Sequence, residues 1–247
     1  MILLRNVALI DGDILIYRVG YTTNDHPVGI AMARMVTMVE GILDGVDCDA
    51  YQMFLTSSDK SNYRFDLYPE YKANRKAPKP VWYMELRSHL VSDYKASVVF
   101  KQEADDKIGI IATSLKGEGI ICSIDKDLDQ IPGPHYDFVK DVHYDITPEH
   151  ALRFFYFQLL TGDRVDNIPG CKGIGPKKAE RILDGLETEE EYQQACLEAY
   201  QDSYGLIHGY TNLVLFGRLL KIKTKEDEPL WVPAHLGGLK NEENEAA

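Results

Sequence analysis

Residues 6–13, NVALIDGD, carry the reading from which the fold follows. Asn6 to Ile10 (NVALI), apolar after its first residue, form a short run stopped by Asp11, Gly12 and Asp13. A run of this length bounded by turn formers reads as a strand buried on both faces. Such strands belong to parallel sheets, in which ligands bind beyond the carboxyl ends of the strands. Asp11, the first residue after the run, is therefore expected on a rim where chemistry can occur.

The flanking sequence repeats the pattern. Apolar positions at helical spacing predict helices over Val28 to Val46, Val81 to Tyr94 and Ala104 to Leu115. Ala50 to Leu55, Ser97 to Phe100 and Gly119 to Ile124 read as further strands, the last followed by Asp125. Alternating strands and helices predict an α/β fold, a PIN/Rossmann-like parallel sheet flanked by helices. Ser57 to Pro80 is polar, basic and aromatic without clean periodicity, and long connections inside compact domains are usually functional or mobile. From Pro148 the pattern is helical, with Thr147 as cap and Pro148 in the first turn. That helix is expected to reach about Leu160, with shorter helices beyond it punctuated by Gly162, Gly170, Gly173, Gly175 and Gly185.

The chain has 247 residues, 45% of them hydrophobic, enough for one large α/β domain with a helical extension. No apolar run approaches the roughly 18 residues a membrane span needs. The N-terminus reads as a first strand rather than a signal peptide. Cys48, Cys122, Cys171 and Cys196 form no CxxC pair, so scattered thiols in a reducing cytoplasm are expected. The net charge of −12 by itself argues against a nucleic-acid partner. The charge is local, however, and a metal can offset local acids. Acids gather in short motifs and in a tail from Lys225 to Glu245. Bases gather in Lys72 to Lys79 and in Lys172 to Arg181.

Asp11, Asp125 and Asp127 follow two strands and so reach one rim. Glu103, Asp105 and Asp106 open a helix, where the dipole favours negative charge and explains one of them without any ligand. Asp163 and Asp166 follow the helix ending near Leu160, and each alone is most simply a turn residue. Together the sets differ from decoration, because clustered carboxylates repel unless protonated or bound to cations. Hard oxygen ligands suit magnesium or manganese. Two such ions about 4 Å apart can activate water and stabilise the leaving oxygen of a phosphodiester.

Two basic segments complete the reading. Residues 71–80 mix cations with the preceding aromatics Tyr63, Phe65, Tyr68 and Tyr71. Cations contact phosphates and aromatics can stack on bases, although the segment reads nearly as well as a solvated loop packed on the core. In residues 168–179, Gly173-Ile174-Gly175 predicts a tight hairpin and Pro176 a helix start, where backbone N–H groups can meet a phosphate. Lys172, Lys177, Lys178 and Arg181 add charge there.

In order, LIDGDILIYR (residues 9–18), TSSDKSNYRFDLYPEYKANRKAPKP (56–80), QEADDKIG (102–109), SIDKDLDQIPG (123–133) and LLTGDRVDNIPGCKGIGPKKA (159–179) resemble the 5′-nuclease superfamily. This superfamily includes the flap endonucleases and the 5′-nuclease domain of bacterial DNA polymerase I. The likeness is closest to bacteriophage 5′–3′ exonucleases and covers roughly residues 5 to 185. It implies that Asp11, Asp59, Glu103 and Asp105 serve a first metal site, and Asp125, Asp127 and Asp163 a second, with Asp106 and Asp166 as supporting acids. It implies that Lys72, Arg75 and Arg18 act on the scissile phosphate, with Tyr71 and Lys76 as further DNA contacts. It also implies a helix-hairpin-helix (helix-three-turn-helix) at about 163–186 that grips duplex DNA through Lys172, Gly173, Ile174, Gly175, Lys177 and Lys178. A bound potassium ion is common there. The arch segment, about 59–80, is compact, and residues after about 187 match no part of the pattern.

The expected organisation is a catalytic core over residues 1–147 and a helical DNA-binding region over residues 148–247. The expected activity is metal-dependent 5′–3′ exonuclease or flap endonuclease cutting by a monomer. Its substrates would be duplex or branched DNA and, further, RNA primers in RNA–DNA hybrids, in phage replication or DNA degradation. A PIN-class RNA nuclease and a non-catalytic DNA-binding module are the alternatives.

Overall fold

A computed structural model describes residues 6–234. In chain order its elements are β1 (Val7–Asp11), α1 (Gly12–Thr22), α2 (Val28–Gly45), β2 (Ala50–Thr56), α3 (Tyr63–Leu67), α4 (Tyr83–Ser92), β3 (Ser97–Val99), α5 (Ala104–Ser114) and β4 (Gly119–Cys122). A 3₁₀ turn (Lys126–Gln130) follows, then β5 (Gly133–Asp137), β6 (Val142–Ile146), α6 (Pro148–Thr161), α7 (Pro176–Leu183), α8 (Glu189–Tyr204) and α9 (Leu206–Leu220). The chain divides into two compact units: residues 1–69, 75–151 and 222–228, and residues 70–74, 152–221 and 229–247. The acidic tail from residue 235 onward lies outside the described residues. No described helix is long and apolar enough to cross a membrane.

The first unit is built on a six-stranded sheet of order β3-β2-β1-β4-β5-β6. Its first five strands are parallel, while β6 runs antiparallel to β5. The wholly parallel sheet expected from the sequence thus gains an antiparallel edge strand. Residues 133–146 lack the apolar run that marks a doubly covered strand, since β6 has only Ile146 fully buried. Side chains alternate across β1: Ala8 and Ile10 enter a core with α1, α2 and α4, whereas Val7 and Leu9 enter a core with α5. Burial on both faces is why the strand reads as continuously apolar. Gly12 starts α1 against the end of β2, where a Cβ would lie 2.9 Å from the Phe54 carbonyl oxygen. No larger residue fits without moving the helix off the strand.

In the second unit, Tyr156 of α6 stacks on Tyr192 of α8, with ring centroids 5.3 Å apart, and donates to Glu189 Oε1 at 3.1 Å. Helices α8 and α9 pack side by side. The Thr188–Glu191 capping box starts α8, and Gly205, at φ 79°, separates it from α9. Asp163 and Ile168 form an antiparallel bridge that closes the turn after α6. Gly162, at φ 72°, sits there so close to the Ile168 carbonyl that any side chain would collide with it. Gly175 caps α7, and Pro176 occupies its first turn, as the sequence predicts.

Candidate metal centre

Parallel pairing of β1 with β4 puts Ile10 beside Cys122, so the next residues, Asp11 and Ser123, emerge together at the sheet's carboxyl edge. Ser123 Oγ donates to Asp11 Oδ2 at 3.1 Å and accepts the Asp125 backbone N–H at 3.1 Å. Asp125 Oδ1 in turn accepts the Asp127 N–H at 2.9 Å, which turns the chain into the 3₁₀ segment. One serine thus ties the three strand-end acids into a connected set. No local pattern singles out Ser123, and only the strand register reveals it.

Asp11 is 2% exposed and caps α1 through a 3.3 Å bond from the Ile14 N–H. Burial pushes its carboxyl up to about 7, and Asp13 and Asp125 push in the same direction. Asp13 is also raised, chiefly by burial, against the opposing hydrogen bonds of Thr56 and the charge of Arg87. Asp13 stands beside Asp11 in the quoted motif, yet sequence reading passed it over. Its position two residues past a strand was the available signal.

Glu103 is the N-cap of α5, locked in a reciprocal capping box with Asp106. Asp105 lies between them in the first turn, half-buried. Asp106 is fully buried, and both its oxygens are engaged. Arg64 holds them at 2.6 and 2.9 Å, and the Glu103 and Lys223 N–H groups each donate at 3.2 Å. Asp106, expected as a supporting acid, has its compensating cation in Arg64, from within the chain. Asp59 lies three residues beyond β2 at the same sheet edge, exposed. Its carboxyl is held below the usual range by Ser61 and Ser57.

In the second unit, Asp163 is buried, and its Oδ1 accepts the Val165 and Asp166 N–H groups at 2.6 and 3.2 Å. Asp166 Oδ2 accepts the Tyr71 hydroxyl at 2.8 Å and lies 3.5 Å from Lys72 Nζ. Tyr71 is 2% exposed, which corrects its assignment as a DNA contact: the ring is core and its hydroxyl is committed. Ile174 is also buried, so of the Gly-Ile-Gly turn only the glycines face outward. Arg18, Arg75, Lys76, Lys172, Lys177 and Lys178 are exposed.

The donor set fits divalent cations. Asp11 is a buried acid facing two more acids, Asp13 and Asp125. Among the described residues no three His, Cys, Asp or Glu side chains already converge at ligand distance.

The profile of the family described as 5′-3′ exonuclease, N-terminal resolvase-like domain, matches residues 6–154. A relative described as flap endonuclease Xni, from Shewanella putrefaciens, is 31% identical over 75% of this chain and 76% of its own. DNA polymerase I of Bacillus caldotenax is 28% identical over 75% of this chain and 24% of its own length. The T5 D15 protein crystallised with metal ions is similar in fold, with TM-score 0.63, 18% identity, and coverage of 86% of this chain and 89% of that one. The T5 5′-exonuclease with bound zinc gives TM-score 0.62 and 19% identity over 86% and 89% of the two chains. With a profile match over more than half its length and a relative 31% identical across three quarters of both chains, the chain belongs to the 5′–3′ exonuclease family, within the 5′-nuclease superfamily.

Proposed function

We propose that this chain hydrolyses phosphodiester bonds near 5′ ends of duplex or flap-bearing DNA, in a reaction that requires two divalent cations, Mg²⁺ or Mn²⁺. One observation carries the reading. A buried Asp11, raised to about 7 beside Asp13 and Asp125, sits at the carboxyl ends of β1 and β4 inside the segment that matches the exonuclease profile. Acids that crowd one another destabilise the metal-free protein and favour cation binding. A pure DNA-binding module gains nothing from acids turned toward phosphate.

In this reading Asp11, Glu103, Asp105, Asp125 and Asp127 hold the ions. Asp59 joins the first site and Asp163 the second, both on the family resemblance, with Asp166 as a supporting acid. When bound, the ions neutralise phosphate charge and acidify water. Lys72, Arg75 and Arg18 orient the scissile phosphate and stabilise the charge that grows on it. Lys72 must first exchange Asp166 for the phosphate, because the two lie 3.5 Å apart in the protein alone. Lys172, Lys177 and Lys178, around the Gly173–Gly175 turn and the start of α7, grip duplex backbone without regard to sequence, with a K⁺ ion at the turn. Lys76 adds a contact. RNA primers in hybrids are a further substrate class, in replication or DNA degradation.

The test is a single-turnover time course on matched 5′- and 3′-labelled duplexes and on a 5′ flap, with and without Mg²⁺. Short 5′-labelled products that need Mg²⁺ are expected. Label loss starting at the 3′ end, or cutting in chelator, would reject the proposal.

A further inference from the structure

Thr56 is the last residue of β2, and every polar atom it has is committed to a different element. Its N–H donates to Asp13 Oδ2 at 2.9 Å. Its carbonyl accepts Arg87 Nη2 of α4 at 2.8 Å. Its hydroxyl oxygen accepts the Ala104 N–H, the first of α5, at 3.0 Å, while the hydroxyl hydrogen goes to Asp13. The opening N–H groups of a helix have no partner within it and need an external one. Here a side chain from the neighbouring strand supplies it, directly between Glu103 and Asp105.

Arg87 is 7% exposed, and its Nη1 is buried without a hydrogen-bond partner, 3.7 Å from Asp13 Oδ1. A buried guanidinium with an unspent donor is costly and so calls for an explanation. Its position beside Asp13 supplies one: Nη2 holds the Thr56 carbonyl while Nη1 faces the carboxyl group that accepts the Thr56 N–H. Asp13 and Arg87 thus hold the Thr56 backbone from two sides, and its hydroxyl oxygen accepts the Ala104 N–H. The far side of the same turn is fixed independently by Arg64 on Asp106.

We propose that Thr56, oriented by Asp13 and Arg87, is a positioning residue that fixes the first turn of α5 and thereby sets the affinity of the chain for its divalent cation. The inference rests on the reading of Glu103 and Asp105 as cation ligands. Residues that orient ligands without touching the ion typically change metal affinity by about 10- to 100-fold.

The experiment uses the full chain and Mn²⁺ alone as probe, by titration calorimetry, beside the Mn²⁺ dependence of single-turnover cutting. Thr56→Val keeps the shape and removes the hydroxyl. It is expected to weaken Mn²⁺ binding about tenfold and to raise the half-saturating Mn²⁺ for cutting by the same factor. The rate at saturating Mn²⁺ should stay within about threefold of the parent, since no group that touches substrate is lost. Thr56→Ser restores the hydroxyl and should restore the affinity, an effect that loss of fold stability would not mimic. Asp13→Asn combined with Thr56→Val should be no worse than the poorer single variant, because the two act in one chain of bonds. Parent-like Mn²⁺ affinity in Thr56→Val, a Thr56→Ser variant as weak as Thr56→Val, or additive losses would overturn the inference and leave the proposed nuclease function standing. A parent chain that binds no Mn²⁺ would overturn both.

Discussion

Asp11 and Asp106 are two buried carboxylates of the first unit with opposite surroundings. Asp106 receives the paired Nη atoms of Arg64 and two backbone N–H groups. Asp11 receives one backbone N–H and one serine hydroxyl, and faces Asp13 and Asp125. Burial costs both acids their hydration. For Asp106 the chain supplies the compensating charge itself, and the acid becomes part of the scaffold that clasps α5 to α3 and to the segment around Lys223. For Asp11 it does not, so the carboxyl is held toward its protonated form, and a bound cation would supply the charge that favours the ionised one. Acidity in a motif therefore does not mark a ligand. The local balance of charge does.

The comparison breaks most visibly in turnover. Asp11→Asn or Asp125→Asn should reduce cutting by about a thousandfold or more while DNA binding persists, because ions stabilise the transition state more than the bound substrate. Single-turnover rates at saturating Mg²⁺, with binding measured in parallel, decide the matter. Rates within tenfold of the parent would show that the strand-end acids are not the centre.

Stability should respond in the reverse order. Asp106→Asn leaves Arg64 buried with half its partner charge, and breaking such a pair costs about 3–5 kcal/mol. Denaturant unfolding of the metal-free chain should show that loss for Asp106→Asn, and no loss or a gain for Asp11→Asn. If both variants lose stability equally, the two acids are not in contrasting settings.

The sequence carried the strand–helix alternation and most of the acids because both depend on short local patterns. Asn6 to Ile10 announces a doubly buried strand in five residues, and the elements of the N-terminal half fall close to where periodicity put them. What it could not carry was pairing. Nothing near Asp106 in the chain points to Arg64, 42 residues away. Nothing near Tyr71 announces that its hydroxyl is committed to Asp166, 95 residues away. Ser123 and Asp13 become visible only once the strand register is known. Helix α1 was also missed, because it follows β1 without any connecting residue. The β5–β6 pair was hidden because an exposed edge strand has no apolar stripe to detect.

Protonation sharpens the contrast further. A carboxyl raised from its ordinary value to about 7 adds stability below the unfolded value near 4, and that contribution is lost as pH rises through about 7. The metal-free parent should therefore lose stability relative to Asp11→Asn between pH 5 and about 8. Magnesium, which selects the ionised form, should raise the melting temperature strongly at about pH 8 and weakly at pH 5. Thermal melts of both chains at the two pH values, with and without Mg²⁺, measure this. An Mg²⁺ response that is the same at both, or a parent that gains on the variant as pH rises, would contradict the charge balance drawn for Asp11.

Asp166 tests the rule where the effect is smallest. It is part-exposed, with its side chain 15% accessible, and its partners Lys72 and Tyr71 come from a segment of the same unit. It resembles Asp106 in having a cation of its own, but the pair is wetter and longer, so its contribution is on the order of 1 kcal/mol or less. Asp166→Asn keeps an oxygen for Tyr71 and weakens only the hold on Lys72. Denaturant unfolding should thus shift by less than about 1 kcal/mol. The melting response to Mg²⁺ should persist, since the acids of the first unit remain. A Lys72 less tightly held in the free protein reaches phosphate more readily, so substrate should bind slightly tighter. If cutting needs Asp166 to return Lys72 after each cycle, product release should slow and multiple-turnover rates should fall while the single-turnover rate holds. An Mg²⁺ response abolished in Asp166→Asn would instead make this acid a direct ligand, and would show that a cation partner within the chain does not disqualify one.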